Sequence, residues 1–274
     1  MADRTISVLG QPLAVEVREG GAGAATALLV HGLTSDRAVM VAAFDEALAG
    51  AGVRRVYVDL PGHGASPGGA AAASADGLVD ALALVASELG GPPPLLVGHA
   101  YGAYLVQGLL ALRPVAGALL LCPVVEPEFA RRRCPPRHLA RREAGLVFSE
   151  DPQEQVTFEE VAVVQTQAVL ASYRQQLLPA SRAVDRAFVE AVRGRYAMAR
   201  PYLEALSRVE APVAIVCGRH DHWVGFEDAA RLAAALPGAE LEVVADCGNL
   251  LPLEQPARLR RAVELWLGRA LPAR

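Results

Sequence analysis

Gly98-His99-Ala100-Tyr101-Gly102 lies between an apolar run at 95–97 and a helix-patterned stretch at about 100–112. Glycines at both ends let a chain turn sharply where a strand and a helix crowd together. Such a turn presents its central side chain at the edge of a sheet. A serine at the centre would make the G-x-S-x-G nucleophile elbow of acyl-transfer chemistry. The centre here is Ala100, whose methyl has no lone pair with which to attack a carbonyl. Cys122 and Cys217 could replace the nucleophile, but both end apolar runs, where burial as small hydrophobes accounts for them. Glu126, just past the run ending at 121, is the alternative for a displaced acid.

The elements that must position this turn follow from the hydrophobic pattern. Residues 6–9 and 13–17 read as two short antiparallel strands with Gly10-Gln11-Pro12 as their turn. Continuous apolar runs at 27–30, 53–58, 95–97 and 116–121 suit strands buried on both faces of a parallel sheet. Helical stretches at 37–49, 74–89 and 100–112 separate them, and this alternation marks a doubly wound α/β fold. The alternation stops at 124 and resumes at 213–216, followed by a helix at 227–236, a strand at 241–244 and a helix at 254–267. The sequence therefore predicts an α/β core at 1–123 and 210–274, interrupted by a helical insertion at 124–209.

With these elements in place, the chain resembles an α/β-hydrolase of the cap-bearing serine hydrolase type over nearly its whole length. His31-Gly32, after the third strand, is similar to the family's oxyanion motif. The resemblance implies oxyanion donors at the backbone N–H groups of Leu33 and Tyr101. Asp59-Leu60-Pro61-Gly62-His63-Gly64-Ala65-Ser66 is similar to the family's D-x-P-G-H-G-x-S loop, and Gly218-Arg219-His220-Asp221 to the turn that carries the triad acid. The family order Ser…Asp…His then requires a histidine after the last strand, in a G-H-x-x-x-x-E-x-P pattern. This chain reads Gly248-Asn249-Leu250-Leu251-Pro252-Leu253-Glu254-Gln255-Pro256. Both flanks match, so Asn249 occupies the histidine position, and an amide cannot act as a general base near neutral pH. Of the triad implied by the resemblance, Asp221 alone remains; Asp246 is a rival that sits too close to Asn249.

The remaining polar residues each have a bland reading. His63 is expected to tie down its own loop, His99 to pack beneath the turn, and His220 and His222 to be scaffolding around Asp221. Arg131-Arg132-Arg133, Arg137, Arg141 and Arg142 form a basic run closely followed by acids. A solvated helical face is the default for such a run, with a funnel for an anionic substrate as the alternative. Tyr173, Tyr196 and Tyr202 could line a pocket or pack in the core.

A net charge of −4 argues against nucleic acid as a partner. The apolar runs fall far short of the roughly 20 residues that a membrane span needs. Met1-Ala2-Asp3-Arg4 shows no secretory pattern. Four scattered cysteines without a C-x-x-C pair make zinc or disulfides improbable and a reducing cytoplasm the default. A small-molecule ligand is expected, with no metal or cofactor. Two functions fit: a serine hydrolase lineage acting on a small apolar ester, thioester or lactone and carrying inactivating substitutions, or a naturally triad-free member. The latter would bind a small molecule or catalyse a cyclisation or elimination.

Overall fold

The computed structural model describes residues 2–271. In chain order its strands are β1 (Ala2–Val8), β2 (Gln11–Arg18), β3 (Thr26–Val30), β4 (Arg54–Val58), β5 (Leu95–His99), β6 (Gly117–Leu121), β7 (Arg141–Arg142), β8 (Val164–Gln165), β9 (Val213–Gly218) and β10 (Glu240–Val244). Its α-helices are α1 (Arg37–Gly50), α2 (Ala75–Glu88), α3 (Tyr101–Leu112), α4 (Pro152–Val161), α5 (Gln167–Ser172), α6 (Leu178–Ala183), α7 (Arg186–Arg193), α8 (Leu203–Leu206), α9 (Phe226–Ala235), α10 (Leu251–Glu254) and α11 (Pro256–Ala270).

Eight strands form one sheet in the order β1-β2-β4-β3-β5-β6-β9-β10. The pairings β1–β2 and β2–β4 are antiparallel, and the rest are parallel. The apolar runs occupy the middle of this sheet, where Leu28, Leu29, Leu96, Val97, Leu119 and Leu120 are fully buried. β1 lies at the edge and is mostly exposed, whereas β2 alternates between buried and partly buried positions. This is a doubly wound α/β fold, mainly parallel, with the sheet flanked by helices. No helix among the described residues is long and apolar enough to cross a membrane.

The topology locates the site. β3 runs next to β4 on one side and β5 on the other, so the chain reverses direction across the sheet between β3 and β5. The carboxyl ends of strands at such a switch point diverge and leave a crevice for ligands. The His31-Gly32 turn and the Ala100 turn leave the sheet at this point.

Local chemistry explains where the elements end. The first hairpin turns on Leu9 and Gly10, with φ of 49° and 76°, and not on Gly10-Gln11-Pro12 as the pattern predicts. Two consecutive positive φ angles give the tight turn whose twist matches a hairpin, which leaves Gln11 and Pro12 inside β2, paired to Val8 and Ser7. The helix expected at 254–267 is α11, which starts at Pro256 and is separated by Gln255 (φ −138°, ψ 53°) from the short α10 before it. Pro256 pushes the residue before it out of helical geometry and supplies no N–H of its own.

The insertion between β6 and β9 carries the short helices α4 to α8 joined by irregular links, and it also contains the two-residue pair β7–β8, too short for hydrophobic periodicity to reveal. It packs in two parts. Phe158, Ala162, Val164, Val169, Leu170 and Tyr173 form a small core of their own, which Leu250 enters from the far end of the chain. Phe188, Val192, Tyr202, Leu206 and Val209 join the main core.

A tight backbone contact sits where α3 begins. A Cβ built on Gly102 would overlap the carbonyl oxygens of Val30 and His31, and neither backbone atom can swing aside. One on Gly98 would lie 2.6 Å from Ala103 Cα. Gly102→Ala is therefore expected to destabilise the fold by about 3 kcal/mol or more, at the upper end of overpacking costs. Urea unfolding should show a lower midpoint with an unchanged slope.

Candidate active-site cavity

Ala100 caps α3 with φ 51° and ψ −113°. A residue with a Cβ at positive φ costs of order 1–3 kcal/mol and persists only where its surroundings impose it. Gly98 and Gly102 impose it here by allowing β5, α3 and the end of β3 to meet at backbone contact. The Ala100 N–H donates to Leu121 O at 2.9 Å, and its carbonyl accepts from Val124 N–H at 3.2 Å.

The turn after β3 is built against this elbow. A Cβ on Gly32 would lie 3.5 Å from Ala100 Cβ. His31 is fully buried; its Nε2 accepts from Leu60 N–H at 3.0 Å, so Nδ1 carries the proton and donates to Gly32 O at 2.7 Å. Burial holds its pKa well below the ordinary histidine value, with His63 nearby acting in the same direction. His63 faces Pro61 O at 2.8 Å and also meets Leu33 O, so it ties its own loop, as expected, and in addition orients the Leu33 peptide. Among the described residues, the N–H groups of Leu33 and Tyr101 donate to no acceptor. Both residues line the cavity in front of Ala100.

Across the cavity lies Asn249, whose Nδ2 donates to Asp221 Oδ2 at 2.8 Å. The other oxygen of Asp221 accepts from the N–H groups of Trp223 at 2.9 Å and Val224 at 3.0 Å. Burial raises the Asp221 pKa from its ordinary value, although these three hydrogen bonds oppose the rise. Asp246 is exposed. His99 donates from Nε2 to Asn249 O at 3.0 Å, fixing its neutral tautomer, and burial lowers its pKa. It thus joins the elbow to the Asn249 loop besides packing beside Ala100. His220 stacks on His138 with ring centroids 4.1 Å apart, and His222 Nε2 lies 3.1 Å from Glu160 O.

Glu254 is the residue whose role the sequence did not disclose. Its Oε2 accepts from Gly248 N–H at 2.7 Å, and its Oε1 from Val163 N–H at 2.7 Å and Val164 N–H at 3.1 Å. One buried carboxylate therefore holds the Asn249 loop and the insertion together. Burial raises its pKa while these backbone donors oppose the rise.

Ala100, Tyr101, Asn249, Gly32 and Leu33 face one cavity of about 300 Å³, closed from the insertion side by Val161 and Leu177. A wider vestibule of about 780 Å³ shares Thr34, Val161, Leu177, Arg193 and Trp223 with it and extends to Tyr173. Tyr196 lines the inner cavity, whereas Tyr202 packs edge-on against Tyr104. Arg132 and Trp223 also reach the inner cavity; nothing in the sequence singles them out from neighbours of the same type. Cys122 is buried and faces Gly248 O, and burial drives its thiol well above the ordinary range. Burial pushes Cys217 up to about 12, so both stay protonated and unreactive near neutral pH. Among the described residues, no group of three or more His, Cys, Asp or Glu is placed to hold a metal ion.

The model of the α/β hydrolase family matches residues 27–262. Among solved structures, the chain is similar to an α/β superfamily hydrolase from Oenococcus oeni PSU-1 (22% identity, TM-score 0.88), covering 98% of this chain and 99% of that one. It is also similar to a thermophilic esterase from Thermogutta terrifontis with malate bound (24%, 0.74), covering 98% and 99%. A bromoperoxidase from Bacillus anthracis (16%, 0.76) covers 97% and 100%. At these identities the likeness is one of fold. No curated protein sequence matches the chain.

The buried carboxylates give two expected outcomes. Because the folded-state pKa of Asp221 is raised, its contribution to stability is fully present below the unfolded value of about 3.9 and is lost as pH rises through the folded value. Asp221→Asn removes this titration, so the loss of stability between about pH 4 and neutral should be smaller in the variant than in the unmodified chain; thermal unfolding across that range measures it. Glu254→Gln turns an N–H donor toward Gly248 or toward Val163 and Val164. It should cost about 2 kcal/mol for the donor left unpaired, with faster amide hydrogen exchange at those positions.

Proposed function

The chain belongs to the α/β-hydrolase family, and from that premise we propose that it keeps the frame of a serine hydrolase while lacking the groups that perform the hydrolysis. In this reading Ala100 stands at the nucleophile position, Asn249 at the general-base position and Asp221 at that of the acid. The amides of Leu33 and Tyr101 form the oxyanion hole. Residues 124–209 are the cap, and 1–123 with 210–274 the core. The ligand is a small acyl compound, an ester, thioester or lactone, held between sheet and cap.

The observation that carries this reading is the strain at Ala100. Its φ of 51° is maintained by two glycines that tolerate no side chain, although an alanine gains nothing from being displayed there. Such geometry has a chemical purpose only for a nucleophile at the mouth of a cavity. A serine there would need a proton acceptor. Asn249 instead spends its Nδ2 on Asp221, and burial lowers the basicity of His99, whose Nε2 donates to Asn249 O. The second reading, a binding protein or non-hydrolytic enzyme, draws support from that same Asp221–Asn249 pair, which leaves the buried carboxylate hydrogen-bonded without any histidine.

Hydrolysis of short p-nitrophenyl esters tests the first reading. The unmodified chain should stay at the low level that binding and oxyanion donors alone sustain, about 10³–10⁴-fold over water at most. Ala100→Ser together with Asn249→His should exceed it by about a thousandfold or more. Ala100→Ser alone should recover little of this, because nucleophile and base act as a unit. Efficient turnover by the unmodified chain, or a single variant equal to the double, would overturn the assignment.

A further inference from the structure

The arginine run at the start of the insertion does not behave as one surface. Arg131 pairs with Glu126 and Glu128, and Arg142 pairs with Glu159. Further along, Arg174 pairs with Glu154, Arg182 with Asp151 and Arg193 with Glu190. Arg132 is different. Its guanidinium donates from Nε to Glu126 O at 2.8 Å, from Nη1 to Trp223 O at 2.8 Å and from Nη2 to Pro127 O at 3.3 Å. It lies over the Tyr196 ring at 5.6 Å and the Phe129 ring at 5.4 Å. Among the described residues, no carboxylate forms an ion pair with it. It lines the same cavity as Ala100 and Asn249.

Three backbone carbonyls fix the position of this cation without neutralising it. They occupy three of its five N–H groups and leave two without a backbone acceptor; the Tyr196 hydroxyl lies beside the guanidinium. The other titratable groups around the cavity do not balance the charge. Burial favours the neutral forms of His31 and His99 and raises the pKa of Asp221, and Asp221 is turned toward Asn249 and the Trp223 and Val224 amides. Arg193, at the boundary with the vestibule, is paired with Glu190, so among the described residues Arg132 is the cavity-lining arginine without an ion pair.

We propose that the ligand of this cavity carries a carboxylate and that Arg132 receives it, so that Arg132 sets specificity for acyl compounds with an anionic end. This rests on the reading of the cavity as an acyl site, and it narrows the ligand from a small apolar ester to a half-ester or its thioester equivalent. A planar guanidinium held in place loses little freedom on binding a carboxylate, and a charge-assisted bond in a partly desolvated site is among the stronger polar contacts.

The test is calorimetric titration of the unmodified chain with monomethyl glutarate and with dimethyl glutarate, its uncharged counterpart, at neutral pH. The half-ester should bind about tenfold or more tightly than the diester, and Arg132→Gln should bring the two within about twofold of each other. In the unmodified chain the Arg132 Nε–H resonance should shift with the half-ester and not with the diester, a readout independent of how the variant folds. Equal binding of both compounds would overturn the inference and leave the acyl site standing. A preference that survives Arg132→Gln would overturn it by placing the anion elsewhere. Ala100→Leu, which fills the cavity in front of the elbow, separates the two readings. If the Arg132-dependent preference persists undiminished in that variant, the anion site stands and the acyl site does not. Binding of neither compound would overturn both.

Discussion

Everything at this site depends on how closely α3 approaches the end of β3. At Gly102 two backbones touch with no room for a Cβ, because the carbonyls of Val30 and His31 fill the space one would take. That contact brings the turn after β3 and the turn after β5 together at the point where the strand order reverses. Ala100 is driven to positive φ as a consequence. The buried helix behind the turn keeps it there, since Tyr101 through Leu110 are buried all along α3. A helix apolar on every face can only be internal, so relaxing the turn would disturb the core.

The second half of the cavity is held by a carboxylate. Glu254 gathers three backbone N–H groups from segments about ninety residues apart in the chain, and no other described group is placed to satisfy all of them. A buried acid usually costs stability because its charge is desolvated; here the same burial excludes water from the seam between insertion and sheet. The loop bearing Asn249 and the insertion edge at Val163 are therefore tied through one side chain. Leu250 reinforces this by entering the insertion's small core.

The electrostatics of the cavity follow from burial. Burial lowers the pKa of His31 and His99, favouring their neutral forms, and Asp221 spends its carboxylate oxygens on Asn249 and the Trp223 and Val224 amides. Arg132 keeps its charge because a guanidinium cannot release its proton in this range. Its charge is therefore fixed at the wall of the cavity. An apolar lining with one fixed cation is a common way to orient a small molecule, since apolar contact supplies affinity and the ion supplies direction.

The sequence alone determined the parts of this protein that are set within a few residues. The paired glycines around Ala100 announced a turn, the apolar runs announced the central strands, and the flanks of Asn249 placed it in register within a known pattern. Each is a short-range rule of backbone sterics or of side-chain periodicity, so it is written locally. Where such rules were applied too coarsely, as at Leu9-Gly10 and at the Gln255 break, φ and the proline ring decided the outcome. Other features became visible only in three dimensions. Glu254 reads in the chain as one acid in a motif, and its three donors are identified only once distant segments meet. Arg132 is one of three consecutive arginines, and no periodicity tells it from Arg131. The separation comes from the fold, which gives Arg131 two carboxylates and gives Arg132 only carbonyl dipoles. Which charge goes unpaired is a property of through-space neighbours, and these are chosen by the packing of the whole chain.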